Sequence, residues 1–322
     1  NKFFNLFINP GGGNTINAGS LLDVDGELEV TSGTLAMAGQ NADVAGTTDI
    51  DGILSIGTGT FDADGQFDAS GGNVTFTGAG NLVCSNTADN TFGNLTNNLG
   101  TVTFDATGGS QALPNETFFN LTANNTNGLT MAANVTVNGA LDFTNGIITT
   151  DANSMIIGST GSIANVADGK YVDGFCAKIC PNTDPFTFPV GDEDLSATNK
   201  KYRPITLTPS VGGTTTFTAR YISRTAVDHT SITGAGLNHI SGGYVDDGAA
   251  PNTGTGFHWD IQSDAGGKNA KLSIAWISED TYGTDGNSLS TDISPLTFAS
   301  YDGVGANWSA ISSTPSGLFS AG

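Results

Sequence analysis

Nine glycines from Gly26 to Gly78 keep a regular metre: Gly26, Gly33, Gly39, Gly46, Gly52, Gly59, Gly65, Gly72 and Gly78, at intervals that alternate seven and six residues. Each interval holds a short alternating segment, such as Glu27-Leu28-Glu29-Val30 or Thr34-Leu35-Ala36-Met37. Apolar residues two apart share one face of a strand, and the residue between them points to the other. Glycine then permits a turn through positive φ. A strand of about five residues followed by a turn, repeated without helices, predicts a parallel β-solenoid.

The metre leaves two windings open. Two strands per turn stack Asp49 on Asp62 and Asp51 on Asp64, whereas three strands stack Asp23, Asp43 and Asp62. Three is favoured, because a triangular cross-section has more room for Phe61, Phe67 and Phe76. Longer repeats overlie the short one. Phe3-Phe4-Asn5-Leu6, followed by Gly26 and Leu28, matches Phe118-Phe119-Asn120-Leu121, followed by Gly139 and Leu141. A weaker copy is Phe92-Gly93-Asn94-Leu95. Two solenoid segments are therefore expected, over 1–90 and 91–170.

From about residue 171 the pattern changes. Prolines gather (Pro181, Pro185, Pro189, Pro204, Pro209) and the candidate strands lengthen, near 202–208, 214–222, 256–262, 270–277 and 296–301. Runs of this kind separated by Gly, Asp, Asn and Ser predict an antiparallel β-sandwich over 171–322. Placed at one end, it would cap the solenoid edge. The fold expected for the whole chain is thus all-β.

Ten basic residues against 31 acidic give a net charge of −21 over 322 residues. Phosphate binding relies on Lys and Arg, so no nucleic-acid partner is expected. No apolar run reaches the roughly 20 residues of a membrane helix, so no membrane insertion is expected. The opening Phe3–Ile8 stretch reads as repeat structure, since Phe118 to Leu121 repeats it, and not as a targeting signal. The chain starts without Met, which fits a mature product or a piece of something longer.

Of three cysteines, Cys84 follows the apolar Leu82 at an inward position. Cys176 and Cys180 lie close enough in sequence for a small disulfide loop in an oxidising compartment. Two free thiols are the alternative, and a metal site would need further ligands nearby.

Several phrases are similar to those of giant secreted, repeat-rich surface proteins of Bacteroidota. Phe118-Phe119-Asn120-Leu121-Thr122-Ala123-Asn124-Asn125, Val135-Thr136-Val137-Asn138-Gly139 and Tyr171-Val172-Asp173-Gly174 carry the resemblance. The most specific is Phe186-Thr187-Phe188-Pro189-Val190-Gly191-Asp192, then Tyr202-Arg203-Pro204-Ile205; His258-Trp259-Asp260-Ile261 and Phe298-Ala299-Ser300-Tyr301-Asp302-Gly303 continue it. The resemblance implies export, by the type IX secretion route, and an extracellular role at the cell surface in adhesion, gliding or matrix. It brings no catalytic residue. The sequence departs from it at Cys176 and Cys180, and residues 303–322 lack a recognisable sorting domain.

Asp23 with Asp25, Asp49 with Asp51, and Asp62 with Asp64 each place two carboxylates beside a turn. Stacked turns could gather them into a calcium site, since Ca²⁺ takes clustered oxygen ligands. Against this, the twelfth-position Glu of an EF-hand is missing, and Asp-Gly is ordinary turn chemistry. An enzyme is not expected. The solenoid has only Lys2 and Lys170 to serve a lyase, and aspartates are too abundant to single out a glycosidase pair. His229, His239 and His258 follow no ligand spacing. Trp259 and Trp276 alternate with apolar neighbours, as core residues do, whereas Trp308 lies in a Gly-rich loop. Trp308 and Tyr301 are therefore the candidate carbohydrate-binding residues. The expected function is a rigid stalk or fibre at the cell surface, partnered by other copies or repeats of the same protein. The alternative is an adhesin whose sandwich binds surface polysaccharide.

Overall fold

The computed structural model describes residues 2–193, 200–210, 212–223, 257–264, 270–274, 298–301 and 308–311. All secondary structure among them is strand. Residues 2–180 wind into a parallel β-solenoid of about ten rungs, with three strands to a rung.

The first face is an unbroken nine-stranded parallel sheet: Lys2–Phe3, Leu22–Val24, Ala42–Val44, Thr60–Ala63, Asn81–Cys84, Thr101–Phe104, Asn120–Asn124, Ala140–Asn145 and Ser162–Ala164. Its register runs Leu22, Ala42, Phe61, Leu82, Val102, Leu121, Leu141, Ile163, so one rung takes 19 to 22 residues. Asp23, Asp43 and Asp62 are Cα partners, as a three-stranded winding requires. The second face holds Leu6–Ile8, Leu28–Val30, Thr48–Ile50 and Phe67–Asp68; the third holds Thr15–Asn17, Thr34–Ala36, Ile53–Ile56, Asn73–Phe76 and Asn94–Thr96.

The glycine metre is a three-corner device. Gly26, Gly46 and Gly65 stack at one corner: a Cβ on Gly46 would strike the carbonyl oxygen of Gly26, and one on Gly65 that of Gly46. Gly33, Gly52 and Gly72 stack the same way at the next corner. The expected positive φ occurs at Gly33 and Gly39, but not at Gly26, Gly46, Gly52, Gly59, Gly65, Gly72 or Gly78. At most corners, then, glycine is required because successive rungs touch there with their backbones and leave no room for a side chain.

Inside, alternation fills the tube. Phe61, Phe67 and Phe76 are all buried, as the wider cross-section implied. A run of aromatic contacts crosses rungs four to six. Phe67 lies 5.6 Å from Phe92 between ring centroids, and Phe92 meets Phe104 and Phe118 edge-on at 6.3 and 6.0 Å. Edge-on pairs at such distances are favourable beyond simple area burial.

The second face ends at Phe67–Asp68 and the third at Asn94–Thr96, and two new ladders begin with Gln111–Leu113 and Thr117–Phe118; the first face continues intact past both points. In the eighth and ninth rungs these two faces merge into single long strands, Ile148–Ile157 and Val172–Cys180. The boundary expected at 170/171 therefore falls inside the solenoid. Val172–Cys180 is the last strand paired in parallel along both of its halves with the strand before it. Its free edge pairs in parallel with Val190–Glu193 at one end and antiparallel with Thr215–Ser223 at the other. Beyond it, Thr215–Ser223 pairs with Phe257–Ser263, and Ile205–Pro209 lies between Phe186–Phe188 and Ala270–Ile274, all antiparallel.

Candidate functional site

The outward positions of the first face form a single column through its ladder: Lys2, Asp23, Asp43, Asp62, Val83, Thr103, Thr122, Asp142, Ala164. Adjacent members of such a column are about 4.8 Å apart. Asp25 and Asp64 sit just past the strand ends of the same face. Lys2 lies at the head of the column, its Nζ 2.7 Å from Asp25 and 3.5 Å from Asp23. Farther along there is no such cation. Partial burial first, then the charges of Asp64, Asp105 and Asp43, push the Asp62 carboxyl above its usual range, against a hydrogen bond with Ser85 that acts to lower it. Asp64 moves the same way, through burial and then Asp43 and Asp105.

Asp49 and Asp51 belong to the second face, whose outward column reads Phe7, Glu29, Asp49, Asp68. The six aspartates of the three Asp-x-Asp-Gly turns are thus divided between two faces. Among the described residues no three Asp, Glu, His or Cys converge closely enough to hold a metal ion. The geometry that a shared calcium site would need is therefore not formed by these six side chains.

Cys176 and Cys180 require a correction. Both lie on the continuous strand Val172–Cys180, with Cys176 opposite Ala219 and Cys180 opposite Thr215. Four residues along a strand span about 13 Å, roughly twice the Cα separation a disulfide can bridge. Both are buried free thiols, as is Cys84. Burial raises the pKa of all three. Close spacing fits a disulfide loop only where the chain turns between the two cysteines, and here it runs extended.

Between the two thiols stands Lys178, only 6% exposed. Its Nζ donates to the carbonyl oxygens of Gly158 (2.5 Å), Ser159 (3.1 Å) and Gly161 (2.8 Å), all in the turn that follows the preceding strand. The ring of Phe186 lies 5.1 Å from the same nitrogen. Burial pushes the Lys178 pKa down, while the three carbonyl dipoles solvate the ammonium. No sequence motif announced this contact. An apolar-flanked lysine in Cys-Ala-Lys-Ile-Cys was its one trace.

Tyr221 and Trp259 meet edge-on at 5.3 Å, and Trp259 Nε1 donates to the carbonyl of Arg203 at 2.9 Å. With Tyr221 buried and Trp259 half-buried against the core, this pair serves packing, as the alternation suggested. Tyr301 and Trp308 are direct backbone partners across the antiparallel pair Phe298–Tyr301 and Trp308–Ile311. His258 lies in Phe257–Ser263, opposite Ile222. His229, His239 and Trp276 lie outside the described residues. Among the described residues no helix is long and apolar enough to cross a membrane.

No protein-family model, curated protein or solved structure matches this chain.

Proposed function

We propose that this chain is a non-enzymatic, extracellular structural protein of the cell surface, acting as a rigid stalk or fibre segment. The unbroken nine-stranded first face carries the reading. Each rung is bonded to the next through its backbone, so bending or stretching the rod must strain a whole ladder at once. About ten rungs at roughly 4.8 Å each give a rod on the order of 45 Å. The acidic outer columns keep such a rod soluble, and the antiparallel strands after residue 180 are the beginning of a β-sandwich that caps it. The phrases shared with Bacteroidota surface proteins support secretion and a place in a longer assembly of like copies or repeats.

Solution scattering on the whole chain tests the shape, and a compact globular envelope would overturn the rod. Immuno-electron microscopy of sheared native material, with an antibody against residues 171–322, tests the assembly. Label recurring along fibres is the expected outcome; label restricted to fibre tips would favour an adhesin head. That second reading rests on Tyr301 and Trp308, two aromatic residues that are backbone partners in an antiparallel pair.

A further inference from the structure

We propose that Asp62, Ser85 and Asp105 form a one-proton latch that ties rungs four, five and six together on the first face. Ser85 Oγ lies 2.8 Å from Asp105 Oδ1 and 3.2 Å from Asp62 Oδ1. A serine hydroxyl has a single hydrogen to donate. The shorter contact takes it, so Ser85 donates to Asp105. The contact to Asp62 then joins two acceptor oxygens unless Asp62 itself carries a proton. With that proton, a continuous chain runs from the Asp62 carboxyl to the Ser85 hydroxyl to the Asp105 carboxylate. Without it, two carboxylates face one hydrogen.

The surroundings favour the protonated form. Asp43 faces Asp62 from the strand behind, Asp64 from its own strand and Asp105 from beyond Ser85, while the uncharged Val83 is its partner ahead. The charges of Asp64, Asp105 and Asp43 are all negative, and burial, the largest cause, acts with them to raise the affinity of Asp62 for a proton; the contact with Ser85 opposes them and is outweighed. The backbone holds the three residues one rung apart: Ser85 N–H donates to the carbonyl of Ala63 and Asp105 N–H to that of Cys84. The latch goes beyond the rod reading and does not depend on it. It makes the middle of the solenoid firmer in acid than at neutral pH.

The test uses the full chain. Asp62→Asn supplies an amide donor where the proton would sit, and Asp105→Asn allows Ser85 to donate to Asp62 instead. Each should raise the melting temperature at about pH 7.5 and leave it unchanged at about pH 3, where wild-type Asp62 is already protonated. Because one proton serves both contacts, the double variant should gain no more than either single one. Gains that simply add would reduce the effect to charge repulsion and overturn the latch, as would a lowered melting temperature in either single variant. A second readout needs neither amide variant. Titration of the Asp62 carboxyl by carbon NMR should move to lower pH in Ser85→Ala, because the proton loses its acceptor. If Ser85 instead donates to an ionised Asp62, the same substitution moves the titration to higher pH, and the proposal fails.

Discussion

Asn5 accepts, on its side-chain oxygen, a hydrogen bond from the backbone N–H of Glu27 in the next rung, at 2.9 Å. Asn120 does the same for Ala140 at 2.8 Å, Asn41 for Thr60 at 2.9 Å and Asn134 for Ser154 at 2.9 Å. In three of the four clips a glycine precedes the donor and belongs to the device: a Cβ on Gly26 would strike the Asn5 side-chain oxygen, one on Gly139 that of Asn120 and one on Gly59 would crowd that of Asn41. A clip of this kind satisfies a corner N–H that no strand partner reaches. Replacing Asn120 by Ala should therefore cost about 1–2 kcal/mol in urea unfolding, from the lost bond and the stranded donor. Asn120→Asp keeps the acceptor and should cost less.

The clip also explains what could and could not be seen in the sequence. The repeated words Phe-Phe-Asn-Leu, each followed about 20 residues on by Gly26 or Gly139, mark rung-to-rung corners and are legible as a repeat. They do not mark a face: Leu6 lies on the second face, Leu121 on the first and Leu95 on the third. Glycine spacing alone leaves the winding open between two and three strands; in the structure every third glycine returns to the same corner, and contact between backbones, not positive φ, is the reason at most of them. The Lys178 contact was illegible, because it joins a lysine to three carbonyls that have no side-chain identity. Spacing alone does not distinguish a loop from a strand, so nothing in the sequence reveals that Cys176 and Cys180 share one extended strand. The separation of the paired aspartates onto two faces is a property of the three-stranded winding, which puts Asp23 and Asp62 in one ladder and Asp49 in another.

The glycine corners predict a sharp contrast between two identical substitutions. Gly46→Ala pushes a methyl into the Gly26 carbonyl, which is backbone held in the ladder and cannot swing away. A loss of about 1–3 kcal/mol or more is expected, as for overpacked cores. Gly108→Ala meets nothing within 4 Å and should stay within about 0.5 kcal/mol of wild type. Paired thermal melts read the difference directly.

Lys178 predicts a polar penalty at the last rungs. Lys178→Met keeps most of the side-chain volume but strands the carbonyls of Gly158, Ser159 and Gly161. A loss of about 1–3 kcal/mol follows, with hydrogen exchange accelerating first in Ile148–Ile157 and Val172–Cys180. An unchanged exchange pattern in those strands would show that water replaces the ammonium without cost.

The three buried thiols predict silence toward thiol reagents. Cys84, Cys176 and Cys180 have raised pKa values and are shielded from solvent, so little reactive thiolate is present near neutral pH. A disulfide-exchange reagent should label none of them in the folded chain and all three after denaturation, with no prior reduction. Recovery of one thiol alone in the unreduced, denatured chain would restore the disulfide.

Asp49 and Asp68 are neighbours in the same ladder, yet their ionisation should act on stability in opposite directions. Asp68 accepts from Thr91 Oγ1 at 2.6 Å and from Ser70 N–H at 2.8 Å, and these bonds hold its carboxyl below the usual range. A lowered folded pKa stabilises the fold above the unfolded value, and that contribution is lost as pH falls through the folded one. Asp49 is raised by burial first and then by the charges of Asp51, Asp68, Glu29 and Glu27. Its contribution is greatest below the unfolded pKa and is lost as pH rises through the folded one. Asp68→Asn should therefore lower the melting temperature at neutral pH, with the deficit shrinking in acid. Asp49→Asn should raise it at neutral pH, with the gain disappearing in acid. Melting curves from about pH 3 to pH 7.5 at low salt check both signs, and added salt should shrink the Asp49 effect more, because it is partly Coulombic while that of Asp68 is made of hydrogen bonds.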